Sequence, residues 1–294
     1  MTILVTGATG NVGSAVLTLL RSQRLPARAG IRRPAHNSVS GEAVAFDFLE
    51  PATWEPAFEG IDLLFLVRPP ALSNVERDIV PALEAAKLAG VSHIVFLSLQ
   101  GAGTNRIVPH AKIEAWLQES GLFWTFLRPS FFMQNLSTTH AAEIRDRLEI
   151  IVPAGQGRTA FVDVEDVAAV ALAVFRAPWE HRNRAWTLTG PTADTYTKVA
   201  ELLSSELGRP IRYRRPGLLR FARHARTDLR MPWAMVAVMA VIYTTARIGK
   251  AAGLTDDVEK VTGRPPTTLA DFVHRERSAW IPGHAQRAAE TSAG

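Results

Sequence analysis

The chain contains no cysteine. That excludes disulfides, thiolate nucleophiles and Cys-ligated zinc or iron–sulfur centres. Lysine is nearly as scarce: five of the 33 basic residues, the other 28 being arginine. Only three tyrosines occur, Tyr196, Tyr213 and Tyr243. No long hydrophobic run is present. The longest, Met231 to Tyr243, is interrupted by Pro232 and falls short of the roughly 20 residues a bilayer span needs. Thr2 to Thr6 already reads as a buried strand with no charged and apolar leader before it, so no secretory signal is expected. These absences predict a cytoplasmic protein without a membrane partner. The eight histidines are scattered without metal-ligand spacing, no metal is expected, and no G-x-S-x-G elbow marks a hydrolase.

What is present is an ordinary globular composition, 47% apolar and 21% charged over 294 residues. The first half alternates apolar runs with helix-like stretches. Strands are predicted at Ile3–Val5, Ala27–Ile31, Ala43–Phe46, Ile61–Val67, His93–Leu99 and Phe123–Leu127. Helices are predicted at Asn11–Arg24, Pro51–Phe58, Asn74–Ala89 and Ile107–Glu119. Unbroken apolar strands separated by helices indicate an α/β fold with a doubly wound parallel sheet. Residues 1–150 form this domain. Residues 151–294 are expected to form a small, mainly helical C-terminal lobe, with helix 164–176 packing back on the sheet and 282–294 disordered. Asp163, Glu165 and Asp166 read as acids at that helix's N-terminus.

Gly7, Gly10 and Gly13 are spaced G-x-x-G-x-x-G between the first strand and the first helix. Such glycines permit a tight turn, let backbone approach a pyrophosphate and let the helix pack close to the sheet. The helix then aims its first amides at the phosphates. Gly7, Thr9, Gly10, Asn11, Val12 and Gly13 are therefore candidate cofactor contacts. At the end of the second strand an NAD site usually carries an acid. Here stand Arg32 and Arg33, whose guanidinium groups suit a 2′-phosphate, so NADP(H) is expected over NAD(H). Asp47 and Phe48, at the end of the third strand, are candidates for the adenine. Val67, Arg68 and Pro69 end the fourth strand, where backbone would pass the nicotinamide-side ribose.

TGATGNVG at Thr6–Gly13, Arg32-Arg33-Pro34, FDFLEP at Phe46–Pro51, SLQGA at Ser98–Ala102, LRPSFFMQN at Leu127–Asn135 and VTGRPPTTLADF at Val261–Phe272 together resemble the NmrA-like group. These are atypical short-chain dehydrogenase/reductase proteins, and the resemblance spans nearly the whole chain. It implies a Rossmann sheet of order 3-2-1-4-5-6 that binds NADP(H), with Ser98 and Pro129 at the cofactor. The group includes NADPH-dependent quinone reductases, isoflavone-reductase-like enzymes and NADP-sensing regulators, so the cofactor is better defined than the function.

Typical short-chain dehydrogenases use Tyr-x-x-x-Lys on the helix after strand five, but no tyrosine here has lysine four residues on. The equivalent segment reads His110-Ala-Lys112-Ile-Glu114. Either His110 takes the tyrosine or lysine position, as a ribose or proton group, or His110 and Glu114 form a surface pair one helical turn apart. His110 and Ser98 are thus the candidate catalytic residues. Lys112, about 200° around the helix from His110, is expected in solvent. Phe131, Phe132 and Met133 suit a flat apolar acceptor. The leading expectation is an NADPH-dependent oxidoreductase reducing a small quinone-like or conjugated carbonyl compound by hydride transfer. A non-catalytic NADP(H) sensor and a non-redox biosynthetic enzyme are the alternatives. The basic face of helix 218–230, carrying Arg220, Arg223, Arg226 and Arg230, is a candidate site for a protein partner rather than nucleic acid.

Overall fold

Residues 1–33 and 41–282 are described by a computed structural model. Pro34 of the arginine triplet and residues 283–294 of the expected disordered tail lie outside the described residues. In chain order the first half runs β1 (Ile3–Val5), α1 (Asn11–Ser22), β2 (Ala27–Ile31), β3 (Ala43–Ala45), α2 (Trp54–Phe58), β4 (Leu63–Leu66), α3 (Val75–Asp78), α4 (Val80–Leu88), β5 (His93–Leu97), α5 (Pro109–Glu119) and β6 (Phe123–Pro129). There follow β7 (Phe131–Phe132), α6 (Gln134–Ser137), β8 (Glu149–Ile151), β9 (Arg158–Thr159), β10 (Phe161–Val162), α7 (Val164–Arg176), α8 (Pro178–His181) and β11 (Arg184–Leu188). The chain continues through β12 (Asp194–Thr195), α9 (Tyr196–Leu207), β13 (Arg212–Arg214), α10 (Leu218–Thr227), α11 (Trp233–Arg247), α12 (Asp257–Thr262) and α13 (Leu269–Arg275).

Two compact units result. The first holds Met1–Pro129, Val164–Leu188 and Asp256–Pro265. Its sheet is parallel throughout, in the order β3-β2-β1-β4-β5-β6-β11. The expected order 3-2-1-4-5-6 is therefore present, extended by β11 on the β6 edge. Burial on both faces explains the unbroken apolar runs: β4 and β5 are buried at every residue. One core of this unit gathers Phe46, Phe58, Leu64, Ile94, Phe96 and Phe126. Helix α7 lies against α1, burying Val167, Val170, Ala171, Val174 and Phe175. At its start Asp166 is fully buried and pairs with Arg264 at 3.0 Å, so this acid holds the chain together as well as favouring the helix terminus.

One predicted helix is divided. Pro81 has no N–H to continue the ladder, and the stretch expected as a single helix is α3 and α4, separated at Ile79. Asn74 caps α3 by accepting from the Arg77 amide.

The second unit holds Ser130–Asp163, Thr189–Thr255 and the chain from Pro266 on. Three short ladders, β7 with β10, β9 with β12 and β8 with β13, support α9, α10, α11 and α13. Its core packs Tyr196, Phe161, Phe221, Tyr243, Phe272 and Trp280. Within this unit the buried Asp163 receives Gln134 and Arg275, at 2.7 and 2.8 Å. Among the described residues no helix is long and apolar enough to cross a membrane, and no group of acids and histidines could hold a metal.

Candidate active site

The glycine turn owes its shape to what a side chain would strike. Gly7 has φ +61°, and a Cβ there would lie 2.9 Å from Val67. A Cβ on Gly13 would lie 2.2 Å from the Gly7 carbonyl oxygen. The Gly10 amide donates to that same oxygen at 2.9 Å, closing the turn. Thr6 fixes the turn to the neighbouring strand: its hydroxyl donates to the Phe65 carbonyl and accepts from the Val67 amide. Gly10 occupies the N-cap of α1 in extended conformation and brings no side-chain oxygen to the first amides. Those amides remain available, and backbone can come close because no Cβ fills the cradle. Thr9 and Asn11 are exposed beside it, while Val12 is buried beneath α1. The turn fits a dinucleotide pyrophosphate.

Arg32 and Arg33 follow β2 and are exposed. Neither has a carboxylate partner among the described residues, so both guanidinium groups are available to an anion. Asp47 is half-buried and its carboxylate caps its own turn, accepting from the Leu49 amide at 2.9 Å. Phe48 packs into the core of the first unit. Val67, Arg68 and Pro69 lie half-buried after β4. Arg68 turns its Nη1 back onto the carbonyls of Pro69, Pro70 and Leu72, shaping its own loop.

At the ends of β5 and β6 an unexpected arrangement appears. Glu114 is 4% exposed and forms a two-pronged ion pair with Arg128, at 2.9 and 2.6 Å. Ser98 donates its hydroxyl to the same carboxylate at 2.5 Å. The surface His110–Glu114 pair is thereby excluded: Glu114 faces inward, clamping α5 to β5 and β6. His110 instead stacks on Phe96, with ring centroids 5.9 Å apart. Burial, reinforced by the Arg68 charge, pushes its pKa down to about 4. The imidazole is thus neutral at physiological pH, able to share a hydrogen bond but poor as a cationic acid. Lys112 is in solvent, as its position on the helix required.

Pro129 ends β6, buried, and the amide of Gln100 donates to its carbonyl. Two residues on, Phe131 and Phe132 are half-buried in β7. Phe131 sits edge-on to Phe161 and 5.7 Å from Tyr243. Met133 is 1% exposed and belongs to the second unit's core, where its side chain contributes packing. Arg220, Arg223, Arg226 and Arg230 are all exposed, with Phe221 and Ala225 buried on the inner side of α10, but the helix expected over 218–230 ends at Thr227, and Arg230, at φ +53°, lies beyond it rather than on its face.

Sequence reasoning missed the Glu114–Arg128–Ser98 group, although Arg128 stood next to a strand end. It also missed a buried line of histidines and acids in the second unit. Its local signals were His140 three residues before Glu143 and His224 four residues before Asp228.

A family model described as NAD(P)H-binding matches residues 7–178. An NAD(P)H azoreductase from Xenophilus azovorans is 38% identical over 289 residues, covering 95% of this chain and 99% of that protein. The solved structure of an NADPH-dependent quinone oxidoreductase from Escherichia coli, in complex with NADPH, is 26% identical. It covers 93% of this chain and 99% of its own, with a TM-score of 0.81. A triphenylmethane reductase from Citrobacter sp. shares the fold at 23% identity, covering 94% of this chain and 99% of its own, with a TM-score of 0.82.

Proposed function

Because this chain belongs to the NmrA-like, NAD(P)H-binding family of atypical short-chain dehydrogenase/reductases, we propose that it is an NADP(H)-dependent reductase of small aromatic or conjugated carbonyl compounds. The observation that carries this reading is the uncapped glycine turn followed by two exposed arginines, without a carboxylate partner among the described residues, where an acid would serve NAD(H). The amides of Asn11, Val12 and Gly13 hold the pyrophosphate, with the Thr9 and Asn11 side chains beside it. Arg32 takes the 2′-phosphate, with Arg33 adding charge, and Asp47 with Phe48 borders the adenine end. Val67, Arg68, Pro69 and Pro129 bound the nicotinamide end.

When bound, the cofactor supplies a hydride, and with it both electrons, to the acceptor. The chain's own contribution is orientation. His110, neutral and backed by Phe96, offers a hydrogen bond to a ribose hydroxyl. Ser98 donates its hydroxyl hydrogen bond to Glu114, so it acts by fixing the end of β5. Phe131 and Phe132 present ring faces to a flat acceptor, with Met133 packed behind them. Homology to an azoreductase supports aromatic acceptors. The absence of cysteine fits a cytoplasmic setting.

The test is NADPH oxidation under anaerobic conditions with a panel of quinones, azo dyes and enones. Turnover with at least one member is expected. Tight NADPH binding without oxidation of any acceptor would contradict the reading. It would turn attention to the second one, an NADP(H) sensor recognised by an acidic protein at the basic segment 218–230. The three exposed arginines of α10, with Arg230 just beyond its end, favour such a partner.

A further inference from the structure

Helix α11 carries no charge between Trp233 and Ala246, yet only one side of it is covered. Inward it buries Val236, Met239, Tyr243 and Ala246 in the core of the second unit. Outward it presents Trp233, Ala234, Ala237, Val238, Val241 and Ile242, all exposed and all apolar. Trp233 is 63% exposed and Val241 66%. Trp233, Ala237 and Val241 follow one another at four-residue steps, as do Ala234, Val238 and Ile242, so the six form one continuous stripe. A helix with apolar residues on every side belongs in a core, and here one side stands in water along a helix about 22 Å long. A contiguous exposed apolar patch rimmed by polar groups marks a surface that something covers.

The rim is basic. Between residues 209 and 250 the chain carries nine arginines and one lysine against a single acid, Asp228. That acid is already paired with Arg147 at 2.6 Å. Helix α10 leads into α11, and Phe221 on its inner side lies 5.4 Å from the Tyr243 ring of α11, so the outer faces of the two helices adjoin. On α10 Arg220, Arg223 and Arg226 are exposed around Leu219, itself 90% exposed, with Arg230 following. Arg247 and Lys250 close the far end of the stripe, next to the exposed Ile248. None of these six basic side chains has a carboxylate partner among the described residues.

The charge decides among the occupants such a face can take. A second copy laid on the stripe about a two-fold axis would bring one arginine rim against another, like charge on like. An acidic protein surface matches the arginines and leaves the apolar stripe unmatched. An anionic bilayer matches both. We propose that α10 and α11 dock the second unit on the surface of a membrane containing anionic lipids. The apolar stripe enters the boundary between headgroups and acyl chains, and the arginines and Lys250 pair with lipid phosphates. A tryptophan at one end and long basic side chains around the rim are the groups that settle at that boundary. The lack of a spanning helix, which led to the expectation of no membrane partner, does not bear on this mode, because a helix lying in the surface plane needs only one apolar face. The inference is independent of the reductase reading, since both helices lie outside the unit that carries the glycine turn.

The test is cosedimentation of the full-length protein with vesicles of phosphatidylcholine alone or mixed with phosphatidylglycerol. Binding to the mixed vesicles and not to the neutral ones is expected, weakening as salt is raised. Arg223→Ala should weaken it about fivefold, and Val241→Glu about tenfold or more. Because Val241 stands in solvent, thermal unfolding and NADPH binding of that variant should match wild type. Brominated acyl chains should quench part of the tryptophan fluorescence, and Trp233→Phe should remove that part while vesicle binding persists. No binding to anionic vesicles at low ionic strength would overturn the proposal. So would binding that is indifferent to Val241→Glu with Trp233 unquenched, which is adsorption by charge alone. A wild-type dimer that Val241→Glu converts to a monomer would give the stripe to a second copy. Equal affinity for soluble polyglutamate, unchanged by Val241→Glu, would give the arginines to an acidic protein. Either of these results also overturns the lipid surface.

Discussion

At His93, burial outweighs hydrogen bonding. Thr125 donates its hydroxyl proton to the His181 carbonyl, so its oxygen must accept from His93 Nε2–H. Nδ1 is then unprotonated and has no partner among the described residues. The pKa is pushed down to about 4, chiefly by desolvation and further by the Arg182 charge, against a smaller pull from the Trp124 backbone. Between pH 6.5 and about 4 the unfolded chain takes up a proton that the folded chain refuses, so stability falls as pH falls through that window. His93→Gln should flatten this dependence in urea denaturation followed at several pH values; an unchanged slope would contradict the assignment. His110 obeys the same sign. Its titration lies below pH 5, so His110→Ala should weaken NADPH binding without reshaping the pH profile of kcat between pH 5 and 9. Arg32→Glu should cost NADPH affinity about 10- to 100-fold, from loss of a charged hydrogen bond, and NADH affinity far less. Parallel titrations of the two cofactors check this, and equal losses would refute 2′-phosphate recognition.

At the scale of elements, the turn between β1 and α1 and the clamp on α5 do separate work. Gly13→Ala forces a methyl to within 2.2 Å of the Gly7 carbonyl, so α1 must move off the sheet. A stability loss of about 1–3 kcal/mol is expected together with loss of NADPH binding, measured by thermal unfolding with and without cofactor. Glu114→Ala leaves Arg128 unpaired at a largely buried position. It should cost about 3–5 kcal/mol in chemical denaturation, and a change below about 1 kcal/mol would show the clamp to be incidental. The turn was legible in the sequence because it is local: three glycines at fixed spacing specify it. The α3–α4 break is equally local, since Pro81 has no N–H to continue the helix.

Across the whole molecule, the parallel sheet was readable because each strand is buried on both faces and writes that burial into consecutive residues. The two ion-paired networks were not readable. Ser98, Glu114 and Arg128 meet only after α5 folds against β5 and β6. Tyr243 meets His140 across 103 residues, and His224 meets Glu143 across 81. No periodicity records such contacts. The same limit applied to Glu114, whose spacing from His110 suggested a surface pair until Arg128 supplied a buried partner. The family relationship reaches further than local pattern, because it covers nearly the full chain and ties the glycine turn to reduction by a nicotinamide cofactor.

The most direct measurement is a single-turnover reaction with NADPH deuterated on one or the other face of its nicotinamide C4, mixed anaerobically with a quinone or azo acceptor. Hydride transfer within an oriented complex predicts that deuterium on one face slows cofactor oxidation and appears in the oxidised or reduced products according to face. Identical rates for both labelled forms and the unlabelled cofactor, or no oxidation at all, would contradict the proposal that this chain is an NADP(H)-dependent reductase.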